Sequence, residues 1–128
     1  MNLLLDTHVA LWVLVDSPRL GREARRWLTA ERSTAWVSAA SLWEIAIKHS
    51  LGRGDMPVSP EQALEQFRAS GLRILPVQPE HAVAVAALPP IHADPFDRLL
   101  VAQALTEPMR LMTHDALIAH YSETVILI

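Results

Sequence analysis

Short, uninterrupted apolar runs alternate along this chain with longer segments of helical period, and that alternation narrows the possible folds more than any other feature. Five runs have the length of buried strands: Leu3-Leu4-Leu5, Ala35-Trp36-Val37, residues 72–77, Arg110-Leu111-Met112 and residues 125–128. A run that is apolar at nearly every position, rather than at every second one, suits a strand covered on both faces. The intervening segments read as helices. Residues 21–32 are rich in helix formers, and residues 39–50 carry Leu42, Trp43, Ile45, Ala46 and Ile47. Residues 61–70 follow Ser59-Pro60-Glu61-Gln62, a capping box with proline at the first helical position. Residues 81–88 stop at Pro89-Pro90, residues 95–105 stop before Pro108, and a last short helix is expected over 115–120. Strands separated by helices predict an α/β fold, a parallel sheet with helices on both faces. Such sheets bind ligands beyond the carboxyl ends of their strands, where strand order reverses.

The bulk properties exclude several classes. At 128 residues the chain is one ordinary domain, and 51% hydrophobic residues rule out disorder. The absence of cysteine removes disulfides, thiolate metal sites and cysteine nucleophiles, and fits a reducing cytoplasm. Residues 9–15 are apolar but far shorter than the roughly 20 residues a membrane span needs. An acid at Asp6 interrupts the first apolar run, and no basic segment precedes it, so neither a secretory signal nor a membrane partner is expected. Net charge is −3, which gives no broad basic footprint for nucleic acid. Arg19, Arg22, Arg25, Arg26 and Arg32 form either a local basic patch or a solvated helix face.

The informative residues are acids near strand ends. Asp6 closes the first strand among Leu3, Leu4, Leu5 and Val9; it either caps the next helix or meets a cation. Glu44 lies in the most apolar helix, where a capping box from Ser41 or a pair with Lys48 also accounts for it. In Asp94-Pro95-Phe96-Asp97, Asp94 fits an N-cap, whereas Asp97 shares a helix face with Leu100, Val101 and Ala104 and is costly there without a cation. Asp115 follows the fourth strand and could cap the last helix, and Thr113 beside it could bond a carboxylate, a phosphate or its own turn. As a set, these acids gather at one sheet edge. Carboxylates at ~4 Å repel by roughly 1 kcal/mol per pair in water and by more when less solvated, a cost that a divalent cation removes. Oxygen ligands without cysteine favour Mg²⁺ or Mn²⁺ over Zn²⁺, and such a site suits phosphodiester hydrolysis. The six histidines show no zinc-ligand spacing; His8 and His114 draw notice as neighbours of Thr7-Asp6 and Asp115.

Four blocks, Leu4-Leu5-Asp6-Thr7-His8, Ser38-Ala39-Ala40-Ser41-Leu42-Trp43-Glu44-Ile45, Asp94-Pro95-Phe96-Asp97-Arg98-Leu99-Leu100 and Leu111-Met112-Thr113-His114-Asp115, resemble in order the signature blocks of PIN domains, closest to the VapC-type toxins. The resemblance spans residues 1–128 as one PIN domain. It implies a five-stranded parallel sheet of order 3-2-1-4-5. It also implies an acidic quartet of Asp6, Glu44, Asp97 and Asp115 as catalytic and metal-holding residues, with Thr113 in support. The implied activity is Mg²⁺- or Mn²⁺-dependent endonucleolytic cleavage of single-stranded RNA, leaving 5′-phosphate and 3′-hydroxyl ends. The implied partners are an RNA substrate, a small cognate antitoxin and a second copy of the chain, in the cytoplasm.

Two rivals are weighed against this. Aspartyl-phosphate chemistry wants a second Asp two residues after the first, where this chain has His8, or an acidic pair before the nucleophile strand, which is absent. A non-catalytic RNA- or protein-binding module would tolerate loss of an acid, yet all four are present.

Overall fold

All five expected strands form. In the computed structural model, which describes every residue except Arg53 and Asp55, they are β1 (Asn2–Leu5), β2 (Thr34–Ser38), β3 (Arg73–Leu75), β4 (Arg110–Thr113) and β5 (Ile126–Leu127). They pair in parallel in the order β3-β2-β1-β4-β5, as expected. The helices among the described residues are α1 (Thr7–Leu14), α2 (Gly21–Thr29), α3 (Ala39–Ser50), α4 (Pro60–Ala69), α5 (Pro79–Ala84) and α6 (Pro95–Thr106). None is long and apolar enough to cross a membrane.

The continuous apolar runs are explained by burial on both faces. Leu3, Leu4 and Leu5 are all fully buried, but they serve different cores. Leu3 and Leu5 join Val9, Ala24, Ile45, Phe67 and Met112 on the α1–α4 side. Leu4 joins Leu100, Val101, Ala104 and Leu111 on the α6 side. The two-residue pleat sends alternate side chains to opposite faces. Each such leucine contributes ~1.5–3 kcal/mol on leaving water.

Polar punctuation starts the helices where the sequence suggests. Ser59 and Gln62 make both hydrogen bonds of the capping box, at 3.1 and 3.0 Å. Some expectations are corrected. The third and fifth strands shrink to Arg73–Leu75 and Ile126–Leu127, because Pro76 cannot donate to a ladder and these strands lie at the sheet edges. The segment expected as one helix over 81–88 begins earlier, at Pro79, where the His81 ring accepts the Gln78 N–H at 2.9 Å, and tightens to a 3₁₀ turn at Val85–Ala87. The last helix, expected over 115–120, is only a 3₁₀ turn, Ile118–His120. Within the arginine cluster, Arg25 turns back to Asp16 and the Ser17 carbonyl.

Strand order places the switch point between β1 and β4. The chain leaves β1 to cover one face through α1 and α2, and returns to β4 from α6 on the other. Residues just past Leu5 and Met112 therefore face the same crevice.

Candidate metal centre at the carboxyl end of the sheet

Asp6 continues the β1 ladder, its N–H donating to the Met112 carbonyl at 3.0 Å. Its side chain is buried and divided between two duties. Oδ1 accepts the Val9 N–H at 2.9 Å, capping α1, and Oδ2 accepts the Thr113 hydroxyl. The two sequence readings of Asp6 are thus compatible, since the cap uses one oxygen. Burial raises its pKa, opposed by the Thr113 and Val9 hydrogen bonds and by His8. Thr113, fully buried, also accepts the Asp115 N–H at 3.0 Å, so one hydroxyl ties the end of β1 to the turn after β4.

Glu44 is buried, not on a polar stripe. Its Oε1 accepts the Thr7 hydroxyl at 2.6 Å, and Oε2 pairs with Lys48 at 2.8 Å. The lysine pair exists as weighed, but the capping box from Ser41 does not form, because α3 begins earlier, capped by Ser38 at 3.0 Å to the Ala40 N–H. The Ser41 hydroxyl instead sits 2.9 Å from Thr7. Thr7, adjacent to Asp6, is the link from β1 to Glu44.

Asp97 enters from α6. Asp94 caps that helix, accepting the Phe96 and Asp97 N–H groups at 2.8 and 3.3 Å, with Pro95 in the first turn. Asp97 then projects inward from the first turn. Burial foremost, then the charge of Asp94, and to a lesser degree Asp6 and Glu44, push its pKa up to about 7 against the pull of His92. The charges of Asp6 and Glu44 therefore reach Asp97 and resist its ionisation.

Asp115 lies at the open side, its Oδ1 accepting the Leu117 N–H at 2.9 Å. Burial opposes its charge, but hydrogen bonds from His92 and Leu117 and the nearby His92 and His114 bring its pKa below the ordinary value.

His92 escaped the sequence analysis. Its Nε2 sits 3.2 Å from Asp97 Oδ2 and 2.7 Å from Asp115 Oδ2, and the three donor atoms lie within 4.8 Å of one another. Its backbone N–H donates to the Tyr121 hydroxyl at 2.8 Å, and its Nδ1 accepts the Asp94 N–H at 3.0 Å. With Nδ1 accepting, a neutral ring carries its proton on Nε2, facing both carboxylates. Burial disfavours its charge, but Asp115, Asp97 and Asp94 outweigh that and raise its pKa. Arg98 anchors the same loop through the Pro89 and Val85 carbonyls, at 3.0 and 3.2 Å, and through Tyr121. No spacing rule marks a loop histidine brought in by a tyrosine from beyond β4.

The donor set suits a hard divalent cation. It offers carboxylate oxygens from two strand ends and two helices, without sulfur, and Asp97 gains little compensating charge from the chain itself. A family model of the PIN domain matches residues 3–123. The chain belongs to the PIN-domain family. This PIN domain is of the VapC kind: it is 32% identical over 115 residues to Ribonuclease VapC22 of Mycobacterium tuberculosis, covering 89% of this chain and 87% of that protein. Its fold is similar to that of VapBC2 from Rickettsia felis bound to a promoter DNA fragment, with a TM-score of 0.71 at 18% identity over 100% of this chain and 98% of that one. A toxin–antitoxin complex from Klebsiella pneumoniae gives a TM-score of 0.65 at 18% identity, covering 96% and 94% of the two chains. VapBC-1 from nontypeable Haemophilus influenzae gives 0.66 at 16% identity, over 100% and 97%.

Proposed function

We propose that residues 1–128 act as one PIN-domain endoribonuclease, the toxin of a toxin–antitoxin pair, which hydrolyses phosphodiester bonds of single-stranded RNA with Mg²⁺ or Mn²⁺. The observation that carries this reading is the acidic cluster at the switch point: His92, Asp97 and Asp115 bring donor atoms within 4.8 Å of one another, Thr113 joins Asp115 to Asp6, and the charges of Asp6 and Glu44 reach Asp97. Membership of the family and the ribonuclease name of the 32% identical relative support it.

Asp6 and Asp97 would hold the ion most directly, with Glu44 and Asp115 completing the site directly or through water. When bound, the ion supplies Lewis acidity toward phosphate oxygens and lowers the pKa of water. The chain's own part is orientation and proton control. The Val9 N–H and Thr113 fix both oxygens of Asp6, while Thr7 and Lys48 fix those of Glu44. His92 Nε2 sets the approach of Asp97 to Asp115. Asp97 must ionise to serve, so ion loading releases its proton and strengthens as pH rises through about 7. The products would carry 5′-phosphate and 3′-hydroxyl ends.

The likeness to toxin–antitoxin complexes supports a small antitoxin as partner, and the ribonuclease name of the 32% identical relative supports RNA as the substrate. Trp43, Ile47 and Leu51, spaced by one helical turn along and just past α3, are exposed and offer an apolar stripe for a second copy.

The test is cleavage of a mixture of structured RNAs by purified protein with Mg²⁺, Mn²⁺ or chelator, beside Asp97→Asn and Asp6→Asn. Metal-dependent cuts lost in both folded variants are expected. Cuts that persist in chelator, or in either variant at full rate, would refute the carboxylate–metal reading.

A further inference from the structure

A second surface adjoins the acidic centre. A cleft of about 260 Å³ is lined by Asp6, His8, Trp12, Arg19, His114 and Asp115. One wall is the carboxylate pair. The other is aromatic and cationic, and the reading above gives it no role. Trp12 and His114 meet edge to face, with ring centroids 5.4 Å apart and planes at 64°. The Arg19 guanidinium carbon lies 6.0 Å from the centre of the Trp12 ring. The His114 ring is oriented by its Nδ1, which donates to the Ile128 carbonyl at 2.6 Å. In the neutral ring that leaves Nε2 as an acceptor. Trp12 is half-buried and packs on the core below, which holds the platform rigid, whereas His8, Arg19 and His114 are exposed and reachable.

We propose that this cleft seats one nucleobase of single-stranded RNA beside the scissile phosphate. The base packs against Trp12 and His114, and Arg19 takes the phosphate on its far side. The assignment rests on the RNA-cleaving reading. Three considerations favour it. The volume is below the roughly 300–1,000 Å³ of pockets for drug-sized ligands, so it has room for one ring system. Aromatic faces flanked by arginine bind unpaired bases without needing a base-specific code. With a net charge of −3, the chain offers nucleic acid no overall positive charge, and a stacking platform next to the reacting centre adds binding strength that does not depend on charge. The His114 Nε2 acceptor adds a preference for a base that presents an N–H or amino group at that edge.

The experiment measures binding of a fluorescein-labelled single-stranded RNA dodecamer to the full chain carrying Asp97→Asn, by anisotropy in Mg²⁺ across a salt series. Arg19→Ala, His114→Ala and Trp12→Ala are added in turn, with melting curves to verify folding. Trp12→Ala should weaken binding by about 5- to 150-fold, the range for one lost base–aromatic stack. Arg19→Ala should lower the slope of log K against log salt by about 0.7, one phosphate on a single strand. Because Trp12 also packs on the core, an independent arm scans the dodecamer with single abasic sites: one position should reproduce the loss on the parent protein. A flat abasic scan, or unchanged affinity in folded Trp12→Ala and Arg19→Ala, overturns the proposal. So does loss of affinity for a co-purified protein partner with RNA affinity intact, which would assign the cleft to that partner. Failure here is distinct from failure of the ribonuclease reading. Wild-type protein that cleaves RNA while folded Trp12 and Arg19 variants cleave with unchanged KM refutes the subsite alone. Wild-type protein that neither binds nor cleaves RNA refutes both.

Discussion

Replacing Asp97 by Asn should make the metal-free protein more stable at neutral and alkaline pH. The carboxyl has an ordinary pKa of 3.8 and is pushed to about 7 in the fold, first by burial and then by Asp94. Because the folded pKa exceeds the unfolded one, the unfolded chain gives up this proton first. The group's penalty is absent below pH 3.8, grows as pH rises, and is complete above about 7. At 1.36 kcal/mol per tenfold change, that interval corresponds to about 4 kcal/mol. The side chain is 22% exposed, and solvent screening cuts the figure to about 2 kcal/mol. The opposing term is smaller: a carboxylate in the first turn of α6 gains ~0.3–1 kcal/mol from the helix dipole, and Asn forfeits it. The net gain of ~1–2 kcal/mol raises Tm by roughly 3–10 °C for a chain of this length. The assay is thermal unfolding of both proteins in chelator between pH 4 and 9, repeated with Mg²⁺ at pH 8. The two curves should converge near pH 4 and separate toward pH 8, and Mg²⁺ should raise Tm of the wild type but not of the variant. A variant less stable than wild type at pH 8 in chelator, or equal to it at every pH, would refute the claim that Asp97 is held there at a cost.

Other outcomes can be checked alongside. Thr113→Val should destabilise the fold by about 1.5–3 kcal/mol in denaturant titration, because it strands both the Asp6 carboxylate and the Asp115 N–H. Asp94→Asn should keep most RNA cleavage, since Asn also caps α6, whereas Asp94→Ala should lose about 1 kcal/mol of stability; abolished cleavage in a folded Asp94→Asn would give Asp94 a direct part. His92→Ala should weaken Mn²⁺ binding measured by calorimetry by about tenfold, the lower end for loss of a residue that orients metal ligands. His92→Gln, which keeps a donor at that reach, should recover part of it, and unchanged binding in both variants would leave His92 no orienting role.

Much of this architecture is legible in the sequence, and the reasons are local. The Leu3-Leu4-Leu5 run can be read because both faces of β1 are covered, so no polar residue interrupts it. Asp94-Pro95 and Ser59-Pro60 can be read because cap chemistry acts within three residues. What resists reading is set by distant chain. Glu44 looks like a surface helix acid until Thr7 closes over it, 37 positions away in sequence. His92 gains its place from Tyr121 and Asp115, which lie beyond β4. The helix expected over 115–120 shrinks to the turn Ile118–His120, and its N-cap position is Leu117, not Asp115, whose carboxylate instead accepts the Leu117 N–H in the preceding turn.

The pairing of β1 with β4 joins the first strand to one that follows residue 109, and this carries a consequence for synthesis. As the chain emerges from a ribosome, Leu3, Leu4 and Leu5 wait beside β2 with one edge bare until Arg110–Thr113 arrive. Asp115 and the hydroxyl that steadies Asp6 arrive in the same late stretch. A nascent or truncated chain ending before residue 110 therefore has an open central sheet and an incomplete centre. A centre drawn from both ends of the chain is thus complete only when synthesis is nearly finished.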